Sequence, residues 1–306
     1  GVEHLLRTAC DYQGVTGAWR VPVCRADPCD ALLVLSFVFA TRALALGATL
    51  MDVTESVGLN PSAATLACGR VADGLMVQVC DTFVVSATLA REAGGWMASS
   101  QLQSQSQTQQ GSQAGLASSQ SSELRGSART LPLPPDSGST QCAAVGEDFV
   151  VMAVSRPSPA LLVMEVVQGA GSDAELAFTR RIEMRAEVSC LSLPPENMVA
   201  TLPANLCVVG TYLPSAELVD IGAGGQEPLG AEAPELLAMA SLQASGTPSS
   251  QGDGERRERA AKGSAVPESV AIVVYDQPYV MVGLRNGCLV RFEWPGALQW
   301  VQHRAS

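Results

Sequence analysis

The sequence predicts an all-β chain, on three observations. Short runs rich in Val, Leu and Phe recur through most of the 306 residues, and amphipathic helical periodicity is almost absent. Most neighbouring runs are separated by only a few turn-forming residues, which makes antiparallel hairpins the economical connection. Fifteen candidate strands follow in order, at 32–39, 42–46, 49–53, 65–69, 75–80, 83–88, 149–155, 160–167, 176–184, 188–193, 206–213, 216–221, 270–275, 279–284 and 288–294.

The clearest hairpin is Val280 to Trp294. Asn286-Gly287 supplies two residues that tolerate positive φ, so a type I′ turn is expected there. Beyond it the alternation puts Val290, Phe292 and Trp294 on one face of the strand and Leu289, Arg291 and Glu293 on the other.

Two stretches interrupt the pattern. Residues 99–122 hold nine serines and eight glutamines and lead into Leu131-Pro132-Leu133-Pro134-Pro135. Such a segment buries too little apolar area to offset its chain entropy, so a disordered loop is expected at 97–141. The second stretch, 222–265, opens with Gly222-Ala-Gly-Gly225, holds a possible short helix at Ala233 to Gln243, and closes with the mixed-charge run Glu255 to Arg259. Both lie between strand-like runs of similar composition, so they read as insertions within one domain spanning 14–306. Fifteen strands are too many for an ordinary sandwich, and a propeller tolerates long loops at either end of its blades. Removing about 90 residues of insertion leaves about 215, near five blades of about 40 residues each. The expected architecture is an incomplete β-propeller of about four to five blades, each of four antiparallel strands.

Composition narrows the function. The chain carries 19 basic and 30 acidic residues, a net charge of −11, and its one lysine is Lys262. That balance argues against a phosphate-gripping surface, which needs clustered cations. The two histidines, His4 and His303, lie near opposite ends. The nine cysteines form no Cys-x-x-Cys pair and no Cys/His cluster, so zinc is not expected. Cys190 and Cys207 sit in apolar runs, where a reduced thiol behaves as a small hydrophobe; a Cys24–Cys29 disulfide is the alternative. The most membrane-like stretch, Ala31 to Met51, has Arg42 at its middle, at a cost of about 2.5–3.5 kcal/mol at a bilayer centre, and reads better as two strands. The chain starts at Gly1 without a basic-then-apolar leader, so a signal peptide is not expected.

Five segments, in this order, carry a family resemblance: Gly14-Val-Thr-Gly-Ala-Trp19, Asp30-Ala-Leu-Leu-Val-Leu-Ser-Phe-Val38, Glu183-Met-Arg-Ala-Glu-Val-Ser-Cys-Leu191, Leu206-Cys-Val-Val-Gly210 and Val282-Gly-Leu-Arg-Asn-Gly-Cys-Leu-Val-Arg-Phe292. Together they resemble the family that unites the large subunit of the damaged-DNA-binding protein, the large subunit of the cleavage and polyadenylation specificity factor, and the third subunit of splicing factor 3B. The resemblance implies the opening blades of the second of three propellers, with residues 1–13 as the strand leaving the first. It implies a scaffold in a nuclear complex: the repair member docks a cullin ubiquitin ligase, and the others sit in splicing or 3′-end-processing assemblies. No binding residue is carried over from it.

No catalytic constellation is present: there is no nucleophile elbow, phosphate loop or His-Glu-x-x-His. Asp27 and Asp30 share a Pro-containing loop and read as turn residues. Arg180, Arg181 and Arg185 lie among Glu175, Glu183 and Glu187, which suggests a salt-bridged strand face rather than a phosphate clamp. Arg285, Asn286 and Arg291 read first as turn and strand-edge residues and second as a partner contact. Trp19 and Trp294 read as blade-packing anchors. The expected function is therefore non-enzymatic protein docking, without cofactor or metal, with direct RNA or DNA binding through the arginines and an unrecognised enzyme as alternatives. A piece of a propeller exposes an unpaired blade and is expected to aggregate when expressed alone.

Overall fold

A computed structural model describes residues 12–22, 30–46, 50–72, 74–88, 128–168, 174–195, 205–213, 215–222, 236–241, 266–274, 278–293 and 303–304. Twenty strands among them form five four-stranded antiparallel sheets, and no helix occurs among the described residues. The first blade holds β1 (Gly17–Val21), β2 (Leu32–Ser36), β3 (Thr41–Ala45) and β4 (Met51–Asp52). The second holds β5 (Ala67–Val71), β6 (Leu75–Val79), β7 (Phe83–Thr88) and β8 (Ala128–Pro132). The third holds β9 (Thr140–Val145), β10 (Phe149–Val154), β11 (Ala160–Gln168) and β12 (Ala174–Glu183). The fourth holds β13 (Val188–Ser192), β14 (Leu206–Thr211), β15 (Ser215–Asp220) and β16 (Leu236–Ser241). The fifth holds β17 (Pro267–Val274), β18 (Pro278–Leu284), β19 (Leu289–Glu293) and β20 (His303–Arg304).

Each sheet is a meander in chain order, and the first strands of successive sheets lie side by side, β1 by β5, β5 by β9, β9 by β13 and β13 by β17. That is the arrangement of propeller blades about a common axis. No comparable contact among the described residues brings β17 back onto β1.

The core consists of one apolar layer between each pair of successive blades. Alternate residues of a strand enter different layers. Val150, Met152 and Val154 of β10 pack with Val77, Val79 and Val84 of the second blade, whereas Val151 and Ala153 pack with Cys207, Val209 and Val219 of the fourth. Leu206 and Val208 of β14 face the other way, onto Val280, Val282 and Phe292 of the fifth. A strand apolar on both faces is the signature of a sheet sandwiched between two others, and it explains why these runs read as continuous hydrophobes. Trp19 packs against the layer joining the first two blades, as a blade anchor should, while Trp294 lies outside the described residues.

The structure corrects several expectations. Ala128–Pro132, placed in the first insertion, is the outermost strand β8, and Thr140 and Gln141 open β9. Leu236–Ser241 is strand β16, paired with β15, where a helix was expected. β8 carries mostly exposed side chains, as an outermost strand must, so it shows no apolar alternation to detect. At the Val280 hairpin only Gly287 has positive φ, at 82°, and Leu284 N–H donates to the Cys288 carbonyl at 2.8 Å. This is a three-residue loop with a glycine bulge, not the expected type I′ turn. Val290 and Phe292 are buried, and Leu289 and Arg291 exposed, as the alternation requires. Ala31 to Met51 runs through β2, β3 and the first residue of β4, and among the described residues no helix is long and apolar enough to cross a membrane. Residues 1–11, 23–29, 89–127, 223–235, 242–265 and 294–302 lie outside the described residues, and with them Cys24, Asp27, the Glu255 run and the beginning of the expected connector.

Inner strands approach closely where one lacks a side chain. A Cβ on Gly210 would fall 2.6 Å from the Pro267 Cβ and 2.7 Å from Cys190 Sγ. Gly210→Ala is therefore expected to force the fourth and fifth blades apart and to cost about 1–3 kcal/mol, read as a lower urea midpoint. The outer face of the fifth blade exposes Val273 and Leu289 around a partly buried Met281. Replacing Val273 and Leu289 with lysine is expected to reduce self-association in sedimentation with little change in Tm.

Candidate docking face

Strand alternation sends the turn between second and third strands of every blade to one end of the propeller, together with the connectors between blades. Backbone hydrogen bonds tie these pieces together. Thr16 N–H donates to Ser36, Thr41 to Pro61, Thr140 to Asp81, Met184 to Pro159, Tyr212 to Glu187 and Arg285 to Val266, at 2.7–3.1 Å.

This end is most apolar at the first blade. The β2–β3 turn, Phe37 to Ala40, closes with a Phe37 N–H donating to the Ala40 carbonyl at 2.8 Å and leaves Phe39 84% and Val38 60% exposed. Tyr12 and Val15, also exposed, enter β1 beside it, and the Tyr12 ring lies 6.4 Å from that of Phe37. Residues 12–19, 31–41 and 56–69 contain no charged side chain, although the chain carries 49 charged residues of those kinds and a net charge of −11. Tyr212 and the 57% exposed Leu213 stand at the same end on the fourth blade, where the Arg285 guanidinium lies 5.9 Å from the Tyr212 ring.

Beneath the turn lies a buried polar network. The Gln78 side chain, fully buried in β6, accepts from Asn60 N–H at 2.8 Å and donates to the Asn60 carbonyl at 3.1 Å and to Thr65 Oγ1 at 2.9 Å. Thr41 Oγ1 lies 2.7 Å from Thr65 Oγ1 and donates to the Ala63 carbonyl, while Ser36 Oγ accepts from Thr65 N–H at 2.9 Å. The network locks the turn and the connector below it to the second blade, so the exposed aromatics ride on a rigid base. Sequence reading missed it. Its one signal was a glutamine inside the apolar run Leu75-Met-Val-Gln-Val79, and a buried amide demands partners.

Most of the arginines singled out as candidates are engaged within the fold, whereas Arg185 is exposed, with its charge felt at Glu217. Arg180 donates to the Ile221 and Gly222 carbonyls across to the fourth blade. Arg181 Nε pairs with Glu183 at 2.7 Å and its NH2 group donates to the Ser158 carbonyl, so it closes the β11–β12 sheet. Glu175 pairs with Arg129, and Asp30 with Arg20 at 3.3 Å. Arg285 pairs with Glu268 at 2.8 Å, Asn286 Oδ1 caps the turn by accepting from Cys288 N–H, and Arg291 lies 4.8 Å from the Tyr279 ring. A convergent phosphate clamp is not assembled from them. Among the described residues no three His, Cys, Asp or Glu side chains are grouped to hold a metal.

The buried thiols are free. Burial pushes Cys68, Cys80 and Cys142 up to about 12, and Cys207 and Cys190 rise for the same reason. They are protonated packing groups rather than nucleophiles. Glu217, 4% exposed between the third and fourth blades, is also shifted upward by burial, against a hydrogen bond from Ser215 and the charge of Arg185.

These features define a class: a β-propeller whose first blade presents at one end an apolar rim built from segments without charged side chains. The chain belongs to the RSE1/DDB1/CPSF1 second beta-propeller family, whose model matches residues 6–304. Curated relatives include DNA damage-binding protein 1 of Solanum lycopersicum and of Solanum cheesmaniae, each 33% identical over 95 residues, which is 30% of this chain and 9% of the relative. The matched part is thus less than a tenth of those proteins' length.

Two outcomes test this geometry. Gln78→Leu strands the Asn60 N–H and carbonyl and is expected to cost about 2–4 kcal/mol in urea unfolding, with faster proteolysis between residues 53 and 66. Glu217→Gln is expected to raise Tm by about a few degrees at pH 7. The raised folded pKa favours the protonated acid, so its stabilising contribution is full below the ordinary glutamate range and lost as pH rises through the folded value. The gain from Gln should accordingly vanish at about pH 4 and below.

Proposed function

We propose that this propeller is a non-enzymatic docking module that binds other protein subunits of a nuclear complex through the apolar rim of its first blade. The observation that carries the reading is Phe39, 84% exposed at the tip of a turn held from below by the Gln78 network. An aromatic held rigidly in water loses little conformational freedom on binding and buries a large area, the profile of an interface anchor. The charge-free surroundings favour a partner that offers an apolar pocket, and they set no electrostatic condition on it.

We propose one of two settings for this role, DNA repair with ubiquitin ligation or pre-mRNA processing. The relatives named DNA damage-binding protein 1 support the first. In either setting nucleic acid is handled by partners or other regions, and no cofactor is required. Direct RNA or DNA binding is the second reading. It is disfavoured because Arg180, Arg181, Arg129 and Arg285 are already committed to carbonyls or carboxylates of the fold.

Affinity capture of the full-length protein decides between them. Val38→Asp with Phe39→Asp is expected to reduce co-purifying subunits about tenfold or more, without changing Tm, and the wild-type complex should change little between 50 and 200 mM salt. Undiminished capture by the double variant would overturn the rim assignment. Affinity for single- or double-stranded nucleic acid tighter than about 10⁻⁴ M at physiological salt, falling steeply as salt rises, would favour the second reading.

A further inference from the structure

The loop between β18 and β19 carries a reactive pair that the docking rim does not use. The chain has four asparagines, Asn60, Asn197, Asn205 and Asn286, and glycine follows only the last. Asn286 and Gly287 are both exposed at the tip of the hairpin. Gly287 has a φ of 82°, and beyond its chain neighbours no heavy atom lies within 4 Å of the place a Cβ would take, so this side of its amide is open to solvent. Cys288 N–H donates to Asn286 Oδ1 at 3.0 Å. A bond that spans Gly287 folds the asparagine side chain forward along the backbone, past the Gly287 nitrogen, and draws electron density from its amide carbon. Gly287 N–H itself donates to the Leu284 carbonyl at 2.8 Å, a bond that must open before this nitrogen reacts.

We propose that Asn286 is a self-modification site, where deamidation through a cyclic imide converts the asparagine of this turn to aspartate or isoaspartate. The Gly287 amide nitrogen gives up its proton to water or hydroxide and attacks Asn286 Cγ. The N–Cγ bond forms, the Cγ–Nδ2 bond breaks, and the side-chain nitrogen takes up a proton and leaves as ammonia. Water then adds to one of the two imide carbonyls: opening at Cγ gives aspartate, and opening at the Asn286 backbone carbonyl gives isoaspartate, linked through its side chain. Asn60 is closed to this route because Pro61 has no N–H. Asn205 holds its amide on Asp220 at 2.6 Å and precedes Leu206, which is buried in β14. The two products differ in effect. Aspartate keeps an oxygen for Cys288 N–H and sets a carboxylate beside Arg285, which pairs with Glu268 at 2.8 Å and lies 5.9 Å from the Tyr212 ring. Isoaspartate adds one backbone atom to the loop, and the strands cannot slip to absorb it because Val290 and Phe292 are buried against the fourth blade. The turn is thus the place where the fifth blade takes on negative charge with age.

Peptide mapping by mass spectrometry tests this on the folded full-length protein, incubated for days at neutral pH. The mass gain that accompanies exchange of NH2 for OH, with separate aspartate and isoaspartate peptides, is expected at Asn286. It should accumulate at least about tenfold faster than at Asn205 and be absent from Asn60. The rate should rise from neutral to mildly alkaline pH, because the attacking nitrogen must lose its proton. Gly287→Asn tolerates the positive φ but places a Cβ beside that nitrogen, and it should slow the modification of Asn286 about tenfold or more. An unmodified Asn286 in the wild-type protein, a rate no greater than that at Asn205, or undiminished modification of Asn286 in the variant would overturn the proposal. The two wild-type outcomes stand whether or not the variant folds. None of these results bears on the docking rim, whose test uses Val38 and Phe39.

Discussion

Burial of apolar strand faces between successive blades is the constraint on which this molecule depends. A four-stranded sheet has two faces, and the middle blades must satisfy both, so β6, β10 and β14 are apolar at nearly every position. The chain achieves this with few aromatics, only 5% of residues, and relies on Val, Leu, Met and Ala. Small side chains let the inner strands approach closely: Gly69 faces Val145, and Gly210 faces Pro267 and Cys190. Each layer draws on two blades, so no blade is stable on its own terms and the blades are expected to unfold as a coupled row.

Several of the polar groups inside that packing join blades. Gln78 ties the second blade to the β4–β5 connector and the first blade's turn; Arg180 ties β12 to the carbonyls after β15. Such side chains stabilise by having every strong group matched, since a buried amide or guanidinium without partners is costly. Glu217 is a buried acid whose nearby charge and hydroxyl only partly offset its burial. A buried polar network lies beneath the apolar turn of the first blade. In the proposed docking role, that support from below is what suits the exposed aromatics to act as an anchor.

Much of this was legible in the residues. Period-two alternation and short turns specify strands through local sterics and burial, and all fifteen expected strands are present within a few residues of their expected limits. The family resemblance, resting on segments that become β1, β2, β13, β14 and the β18–β19 hairpin, agrees with the matched family model. The strands that escaped notice are β1, β8, β9, β16 and β20. β8 shows why: it pairs on one side only and faces water, so little selects its composition. The turn at Asn286 shows the limit of local chemistry, because the same dipeptide serves a two-residue loop or a glycine bulge and the register of the flanking strands chooses.

The sequence by itself determined that the chain is all-β, that its strands are short runs rich in Val, Leu and Phe, that its thiols sit in apolar runs and that its charge is wrong for gripping phosphate. Those properties depend on composition and on neighbours two residues apart. Only the tertiary structure decided that Tyr12, Val15, Val38 and Phe39 meet at one end, that Gln78 supports them across a blade boundary, and that Arg180 and Arg181 are engaged by carbonyls and a carboxylate of the fold. Most of these are contacts between residues about 20 to 40 positions apart, and they exist because blades pack side by side, a fact no local pattern encodes.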